Sequence, residues 1–290
     1  MEQKGVVSII IPTYGGGDSL KRCVDSALEQ TYKEIEVVVV DDNGLGTENQ
    51  LSTAQVMAQY EDDPRVRYVC HEHNINGAAA RNTGVKNSNG EYIALLDDDD
   101  IFLPNNIEEH MKVLPNLSNE YALTYCSGID DYCNGKVRYL ERTFSGQNLY
   151  DLLMHKIEIT STALVIRRSV WDELGGFDES FRRHQDWEFS ARVMAKYHVM
   201  ALSNFGYKRF RYRRNVPNPE VARNYMTHYL SKMDPYIKML PKTQQKDVII
   251  RNRMFLVLKY IKRKKYIRAF VEFMRIGGGI RGIKWLYRKL

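Results

Sequence analysis

The chain has 290 residues, 43% of them hydrophobic, enough for one domain with an appendage or for two domains. Its formal net charge of +6 conceals an asymmetry: residues 1–199 carry 19 Lys+Arg against 32 Asp+Glu, whereas residues 200–290 carry 23 against 4. No apolar run approaches the ~20 residues of a membrane span. Met1-Glu2-Gln3-Lys4 leads straight into a strand pattern with no secretory signal, and Cys23, Cys70, Cys126 and Cys133 lack paired zinc spacing. Multi-span and secreted classes are therefore set aside, and the cysteines read as thiols of a reducing cytosol.

In chain order, the first strand pattern is Val7-Ser8-Ile9-Ile10-Ile11, which runs into Pro12-Thr13-Tyr14 and the turn Gly15-Gly16-Gly17. A helical pattern covers Asp18 to Gln30, and a second strand, Glu36 to Val40, ends at Asp41-Asp42-Asn43-Gly44. Helical patterns follow from Thr47 to about Tyr60 and from Gly77 to about Lys86. A third strand, Tyr92 to Leu96, then runs into four consecutive aspartates, Asp97 to Asp100. Strands alternating with helices predict βαβ units and a parallel sheet. In such sheets ligands bind beyond the carboxyl ends of the strands, so Thr13, Asp42 and the aspartate run are expected at one edge. Four adjacent carboxylates repel one another unless a cation or a shared proton compensates. That predicts a hard divalent cation bridging to phosphate oxygens. His71-x-His73, at a strand end with no carboxylate partner in sequence, is expected to be a surface pair rather than a metal site.

The motifs Pro12-Thr13-Tyr14, Val40-Asp41-Asp42-Asn43, Asn76-Gly77 with Ala80-Arg81-Asn82-Thr83-Gly84, Gly90-Glu91-Tyr92, Leu96 to Asp100, Gly175-Gly176-Phe177-Asp178-Glu179 and Asp186-Trp187-Glu188 with Arg192 occur in this order. Over roughly residues 6–200 the chain resembles the family 2 glycosyltransferases, inverting enzymes that use nucleotide sugars. The resemblance implies a GT-A fold, an α/β Rossmann-like architecture with a mostly parallel central sheet flanked by helices. It places Pro12, Thr13, Tyr14 and Asp42 in the nucleoside pocket; an ionised carboxylate accepts hydrogen bonds only and suits a uracil N–H. It matches Asp97 and Asp99 to a D-x-D signature, with Asp99 the main ligand of Mn²⁺ or Mg²⁺ and Asp97 reaching the ribose or a metal-bound water. Asp98 is counted with the nucleotide-binding set, and Asp98 and Asp100 leave the register open by one residue. Arg81 is either a contact to the diphosphate or an exposed helix charge. Asp186 corresponds to the general base, or else serves as an acidic charge at a helix start. Gln185 stands where most relatives carry an acid. Trp187 floors the sugar pocket or belongs to the core, His184 lies beside the phosphate or acceptor, and the Gly175-Gly176 turn lies beside donor sugar and acceptor.

The resemblance implies addition of one sugar from a UDP-sugar to a lipid-linked or polysaccharide acceptor in bacterial surface-glycan synthesis. No Gln-x-x-Arg-Trp pattern of the polymerising relatives is present. Alternatives are a catalytically silent sugar-nucleotide-binding or scaffolding protein, against which Asp42, Asp97, Asp99 and Asp186 argue, and a sugar nucleotidyltransferase, for which Gly15-Gly16-Gly17 lacks the following basic residues. A Walker pattern is absent, so a P-loop ATPase is excluded. The division expected is a catalytic domain over 1–214 and a basic helical extension over 215–290. Helices are expected at about Glu220 to Met239, Gln244 to Lys262 and Lys265 to Ile276, and the final stretch Ile280 to Leu290 mixes cations with Trp285 and Tyr287. Basic aromatic-bearing helices suit an anionic membrane surface or a homodimer contact, which predicts a cytoplasmic protein peripheral on the inner face of the plasma membrane. Nucleic-acid binding is not expected, since no recognised module is present.

Overall fold

Three β-branched stretches build the interior of the sheet. β1 (Gln3–Thr13), β2 (Ile35–Asp41) and β4 (Gly90–Leu95) are apolar on both faces and fully buried at Ile9, Ile10, Ile11, Val37 to Val40, and Ile93 to Leu95. Strands of that kind need helices on both faces and therefore pair in parallel. The computed structural model describes residues 2–15, 17–211 and 218–276, and it divides the chain into two compact units. The first comprises residues 1–147 and 159–214, the second residues 148–158 and 215–290.

In the first unit the sheet order is β3-β2-β1-β4-β8-β6-β9-β5, with β7 paired to β6. The strands not yet placed are β3 (Val66–Cys70), β5 (Asp100–Phe102), β6 (Tyr121–Asp131), β7 (Val137–Leu140), β8 (Leu164–Arg167) and β9 (His198–Phe210). β3, β2, β1 and β4 are mutually parallel. β8 runs antiparallel to both β4 and β6, and β5 runs antiparallel to β9. β6 and β9 are parallel and β7 is antiparallel to β6, so the sheet is mixed, with four parallel and four antiparallel pairings. Register brings the polar strand ends together: Ile10 lies opposite both Val38 and Leu95, and Thr13 lies opposite Asp41.

The helices of this unit are α1 (Gly17–Leu28), α2 (Glu48–Met57), α3 (Gly77–Lys86), α4 (Asn106–Val113), α6 (Arg168–Leu174) and α7 (Gln185–Lys196). α3 matters most for the site. Its cap is Asn76, whose Oδ1 accepts from the Ala78 and Ala79 amides at 2.9 and 3.1 Å, satisfying two donors the helix cannot pair internally. Ala78, Ala79, Ala80 and Gly84 let it lie close against β1 and β2. Behind the sheet, buried Arg168 donates to the Gly90 and Val85 carbonyls and to Ser88 Oγ, while Glu36 accepts from Ser8 Oγ at 2.7 Å and from the Gly90 amide at 2.9 Å. A side chain at Gly90 would strike Ser8 Oγ and the Val6 carbonyl, so this crossing admits only glycine.

The second unit is helical: α5 (Leu149–Leu153), α8 (Pro219–Lys238), α9 (Lys242–Lys262) and α10 (Tyr266–Arg275). The short segment 148–158, inside the stretch the sequence assigns to the catalytic domain, joins this unit by bonding to α9. Buried Asn252 donates its Nδ2 to the Leu153 carbonyl at 3.0 Å, and its Oδ1 accepts from His155 Nε2 at 2.7 Å. Tyr229, Met233, Val248, Val257 and Tyr260 fill its interior. No helix among the described residues is long and apolar enough to cross a membrane. The cationic stretch at 212–214 and the terminal stretch 280–290 lie outside the described residues.

The seating of α3 yields a stability prediction. A Cβ on Gly84 would lie 2.3 Å from Ile10 Cγ2 and 3.2 Å from Val40 Cγ2, both in fully buried residues of the sheet. Overpacking of this kind costs ~1–3 kcal/mol, partly offset by about 1 kcal/mol of better helix propensity. Gly84→Ala is expected to lower the urea midpoint; an unchanged or higher midpoint would contradict this packing.

Candidate functional site

The carboxyl ends of β1, β2 and β4 and the first turns of α3 enclose a cleft of about 340 Å³. Pro12, Thr13, Tyr14, Asp42, Arg81, Asp97, Asp98 and Asp99 all line it, together with Gly77 and Ala80. Tyr14 stands at the mouth, 65% exposed, with its ring free to cover a planar ligand.

The four aspartates after β4 have different surroundings. Asp97 pairs with Arg81, whose guanidinium also donates to the Gly77 carbonyl at 2.8 Å. Arg81 is buried, not an exposed helix charge, and its Nε is a buried donor with no partner among the described residues. Asp98 turns to β1, accepting from Thr13 Oγ1 at 2.7 Å and from the Tyr14 amide at 3.3 Å. Desolvation and the neighbouring Asp99 and Asp97 still push its pKa up to about 6. Asp100 begins β5 and is buried against Thr162 Oγ1 at 3.2 Å. Burial, with the charges of Asp97 and Asp99, pushes it up to about 8 despite the opposing field of Arg209. Its own burial, and then the same negative field, raise the Cys23 thiol well above its ordinary value. One carboxylate oxygen each from Asp97, Asp99 and Asp100 lie within 4.8 Å of one another. An all-oxygen set of three carboxylates this close together fits a hard divalent cation.

Asp42 is anchored rather than open. Its Oδ1 accepts from the Ile75 amide at 2.9 Å and lies 2.7 Å from His71 Nδ1, and its Oδ2 accepts from Asn74 at 2.8 Å. His71 is thus not part of a surface pair. Its ring is wedged between Asp42 and Thr83 Oγ1, at 2.9 Å, while His73 is exposed. The carboxylate partner lies 29 residues away and was invisible in the local sequence. The rule that polar residues after strands β1, β2 and β4 enter the cleft, applied equally to β3, would have found His71.

The remaining expected residues come from α6, α7 and the turn between them. Gly175 caps α6 at φ +74°, and Gly176 follows at φ +66°. A Cβ on Gly176 would lie 2.7 Å from Asn82 Oδ1. That space is needed because Asn82 clamps the turn to α3, donating to the Phe177 carbonyl and accepting from its amide, each at 2.9 Å. Arg192 holds the other side, donating to the Leu174 and Gly176 carbonyls and to Glu188. His184 enters α7 in a left-handed conformation and stacks on Trp187, ring centroids 4.1 Å apart. Trp187 is half-buried rather than part of the core. Asp186 starts α7 and accepts from the Trp187 amide at 3.0 Å. Desolvation, with a contribution from Asp97, pushes it up to about 6, opposed by that amide and by Arg81. Asp186 therefore feels the Arg81–Asp97 pair directly, although it does not line the cleft itself.

A parallel half-sheet with a carboxylate cluster at its strand ends, covered by a helix start bearing a further acid, is the layout of a GT-A glycosyltransferase. Residues 8–175 match the family described as Glycosyl transferase family 2, and the chain belongs to that family. It is 28% identical over 281 residues to the uncharacterized glycosyltransferase RT0329 of Rickettsia typhi, covering 91% of this chain and 82% of that one. It is 23% identical over 287 residues to the amylovoran biosynthesis glycosyltransferase AmsB of Erwinia amylovora, covering 92% and 89%. Among solved structures it is similar in fold to S. aureus TarS 1-349 in complex with UDP-GlcNAc, with a TM-score of 0.67, 18% identity, and 93% of this chain and 81% of that chain covered. The protein is a glycosyltransferase.

The His71 bridge gives a second prediction. His71→Ala removes a near-buried ring that bonds both Asp42 and Thr83, leaving two polar groups short of a partner. Losses of this kind cost about 1–3 kcal/mol. Chemical denaturation should show that loss, and an unchanged midpoint would mean the bridge carries no stability.

Proposed function

We propose that the chain is an inverting, metal-dependent glycosyltransferase. It transfers a single sugar from a UDP-sugar to a hydroxyl of a lipid-linked or polysaccharide acceptor in bacterial surface-glycan biosynthesis, at the inner face of the plasma membrane. The observation that carries the reading is the cluster of Asp97, Asp99 and Asp100 beside Arg81, with Asp186 within electrostatic reach. The UDP-GlcNAc complex of TarS supports the choice of donor, and the role of AmsB in amylovoran biosynthesis supports the choice of acceptor. The extension over 215–290 is the membrane-facing part, and it carries no transfer chemistry.

In this reading Thr13, Asp42 and Tyr14 hold the nucleoside. Asp42 is fixed by three donors, so the carboxylate is pre-oriented and a uracil N–H meets it without reorganisation. Asp97 and Asp99 would hold Mn²⁺ or Mg²⁺, with Asp100 close behind. When bound, that cation supplies Lewis-acid stabilisation of the charge on the leaving diphosphate. Arg81 adds a second positive group, and its unpartnered Nε–H is a donor available to a phosphate oxygen. Asp186 takes the proton of the acceptor hydroxyl as that oxygen attacks the anomeric carbon. The bond from that carbon to the phosphate oxygen breaks with its electron pair, UDP leaves, and the configuration inverts. A pKa raised to about 6 makes Asp186 a stronger base than an exposed carboxylate while leaving it largely ionised at pH 7. Trp187 and His184, stacked on each other, and the Gly175-Gly176 turn border the sugar and acceptor.

Two measurements test this. Calorimetry should show UDP binding that is at least about tenfold weaker without Mn²⁺ and in Asp99→Ala; UDP affinity indifferent to both would refute the cation site. Transfer should also depend on ionised Asp186. kcat/KM is expected to be level above pH 7 and to fall as pH drops through about 6, approaching tenfold per pH unit. Asp186→Asn should cost ~10²–10⁴-fold and abolish that acid limb. A variant that kept the wild-type profile would remove Asp186 from the base role.

A further inference from the structure

α10 is amphipathic in the reverse of the usual sense. A surface helix normally turns its apolar stripe inward. Here the residues buried against the rest of the unit are Ala269 and Glu272. Glu272 is only 4% exposed and is held by Arg223 Nε of α8 at 3.1 Å and by Arg275 Nη1 of its own helix at 3.0 Å, so the Arg223 pair ties α10 to α8. The opposite face presents Tyr266, Ile267, Phe270, Val271 and Met274, all exposed, with Ile267 at 83% and Phe270 at 63%. Their spacing of 0, 1, 4, 5 and 8 places them on one stripe. Lys262, Lys264 and Lys265 lead into it and are exposed.

A groove of about 680 Å³ opens where α10 ends. One face of α9 supplies Lys242, Lys246, Ile249 and Arg253, and the end of α10 supplies Arg275 and Ile276. Among the described residues no carboxylate lines it. Arg275 is shared with Glu272, but Arg253 Nε is a buried donor without a partner among the described residues. Four cations over an isoleucine floor complement a phosphate carried on a hydrocarbon. An exposed apolar stripe next to exposed lysines complements the boundary between head groups and acyl chains. A polyanion such as nucleic acid would satisfy the cations but would leave the stripe in water.

We infer that the α9–α10 face of the second unit is a docking surface for an anionic phospholipid bilayer, with the α10 stripe entering the acyl boundary and the Lys242–Lys246–Arg253–Arg275 groove holding a lipid phosphate. This rests on the membrane-facing part of the proposed function but uses none of the residues assigned to transfer, so the two can fail separately.

The test is co-sedimentation of the full chain with vesicles of phosphatidylglycerol and phosphatidylethanolamine, against vesicles of phosphatidylcholine alone. Wild type should bind the anionic vesicles at least about tenfold more tightly, with affinity falling as salt rises. Ile267→Glu/Phe270→Glu changes only exposed side chains and should lose at least about tenfold in partitioning. Lys242→Glu/Lys246→Glu, also exposed, should lose binding at low salt and flatten the salt dependence. Both variants should keep wild-type melting temperature and Mn²⁺-dependent UDP binding. Equal binding to both vesicle types, or variants that bind like wild type, would overturn the inference. So would a concentration-dependent dimer in light scattering that the α10 variant abolishes while leaving vesicle binding intact, since the stripe would then be a contact between copies. Inhibition of vesicle binding by millimolar inorganic phosphate as effectively as by soluble phosphatidylglycerol would place free phosphate, not lipid, in the groove.

Discussion

Like-charge repulsion at the carboxyl end of β4 is the constraint around which the catalytic unit is organised. Two unit charges 4 Å apart repel by about 4 kcal/mol at an effective dielectric constant of 20, and the chain places four carboxylates in succession there. The fold relieves them one by one. Asp97 receives the Arg81 guanidinium, Asp98 receives Thr13 and the Tyr14 amide, and Asp100 is buried near Thr162 within the field of Arg209. Burial first, and then the charges of Asp97 and Asp99, still hold the protons of Asp98 and Asp100 to higher pH than ordinary carboxyls. The repulsive part of that cost is what a divalent cation would remove.

Everything that fixes the geometry of the cleft serves α3, the helix that brings Arg81 to this cluster. Gly84 lets it lie on Ile10 and Val40, Asn76 caps it, and Asn82 ties it to the Gly175-Gly176 turn. The turn is in turn gripped by Arg192 from α7, so the helix that carries Asp186 and the helix that carries Arg81 are joined through one asparagine and one arginine. A motif such as Ala80-Arg81-Asn82-Thr83-Gly84 therefore distributes one residue to the aspartate cluster, one to coupling, one to the His71 bridge and one to close packing.

The parallel half of the sheet was legible in the sequence because β1, β2 and β4 are buried on both faces, and unbroken β-branched runs have few other uses. Their polar ends, and with them Thr13, Asp42 and the aspartates, could be placed at one edge from topology alone. The other half was not legible: β5, β7 and β8 span three or four residues each and are held only by pairing, β5 to β9, β7 to β6, and β8 to β4 and β6. Contacts across long separations were equally hidden. His71 reads as a surface histidine until Asp42 and Thr83 stand beside it, and residues 148–158 read as part of the catalytic domain until Asn252 bonds to Leu153. The basic character of the last hundred residues was plain, but composition could not show that α10 turns its apolar face outward, since that depends on buried Glu272 and its pair with Arg223.

The charge asymmetry and the aspartate cluster lead to one argument about the donor. A nucleoside diphosphate is itself an anion, and the cleft proposed to receive it is lined by Asp42, Asp97, Asp98 and Asp99 against a single arginine, already paired to Asp97. By charge alone this cleft repels its proposed substrate. Binding would become favourable if a cation of charge two neutralised the carboxylates and the diphosphate together, because each would then lower the cost of burying the other. Donor affinity and cation affinity are then two readings of a single coupling free energy, and linkage requires each to strengthen the other by the same factor. An acidic cleft is thus an economical way to make sugar-nucleotide binding conditional on metal. A basic cleft would bind the diphosphate unaided, and would hold the UDP product as firmly as the donor.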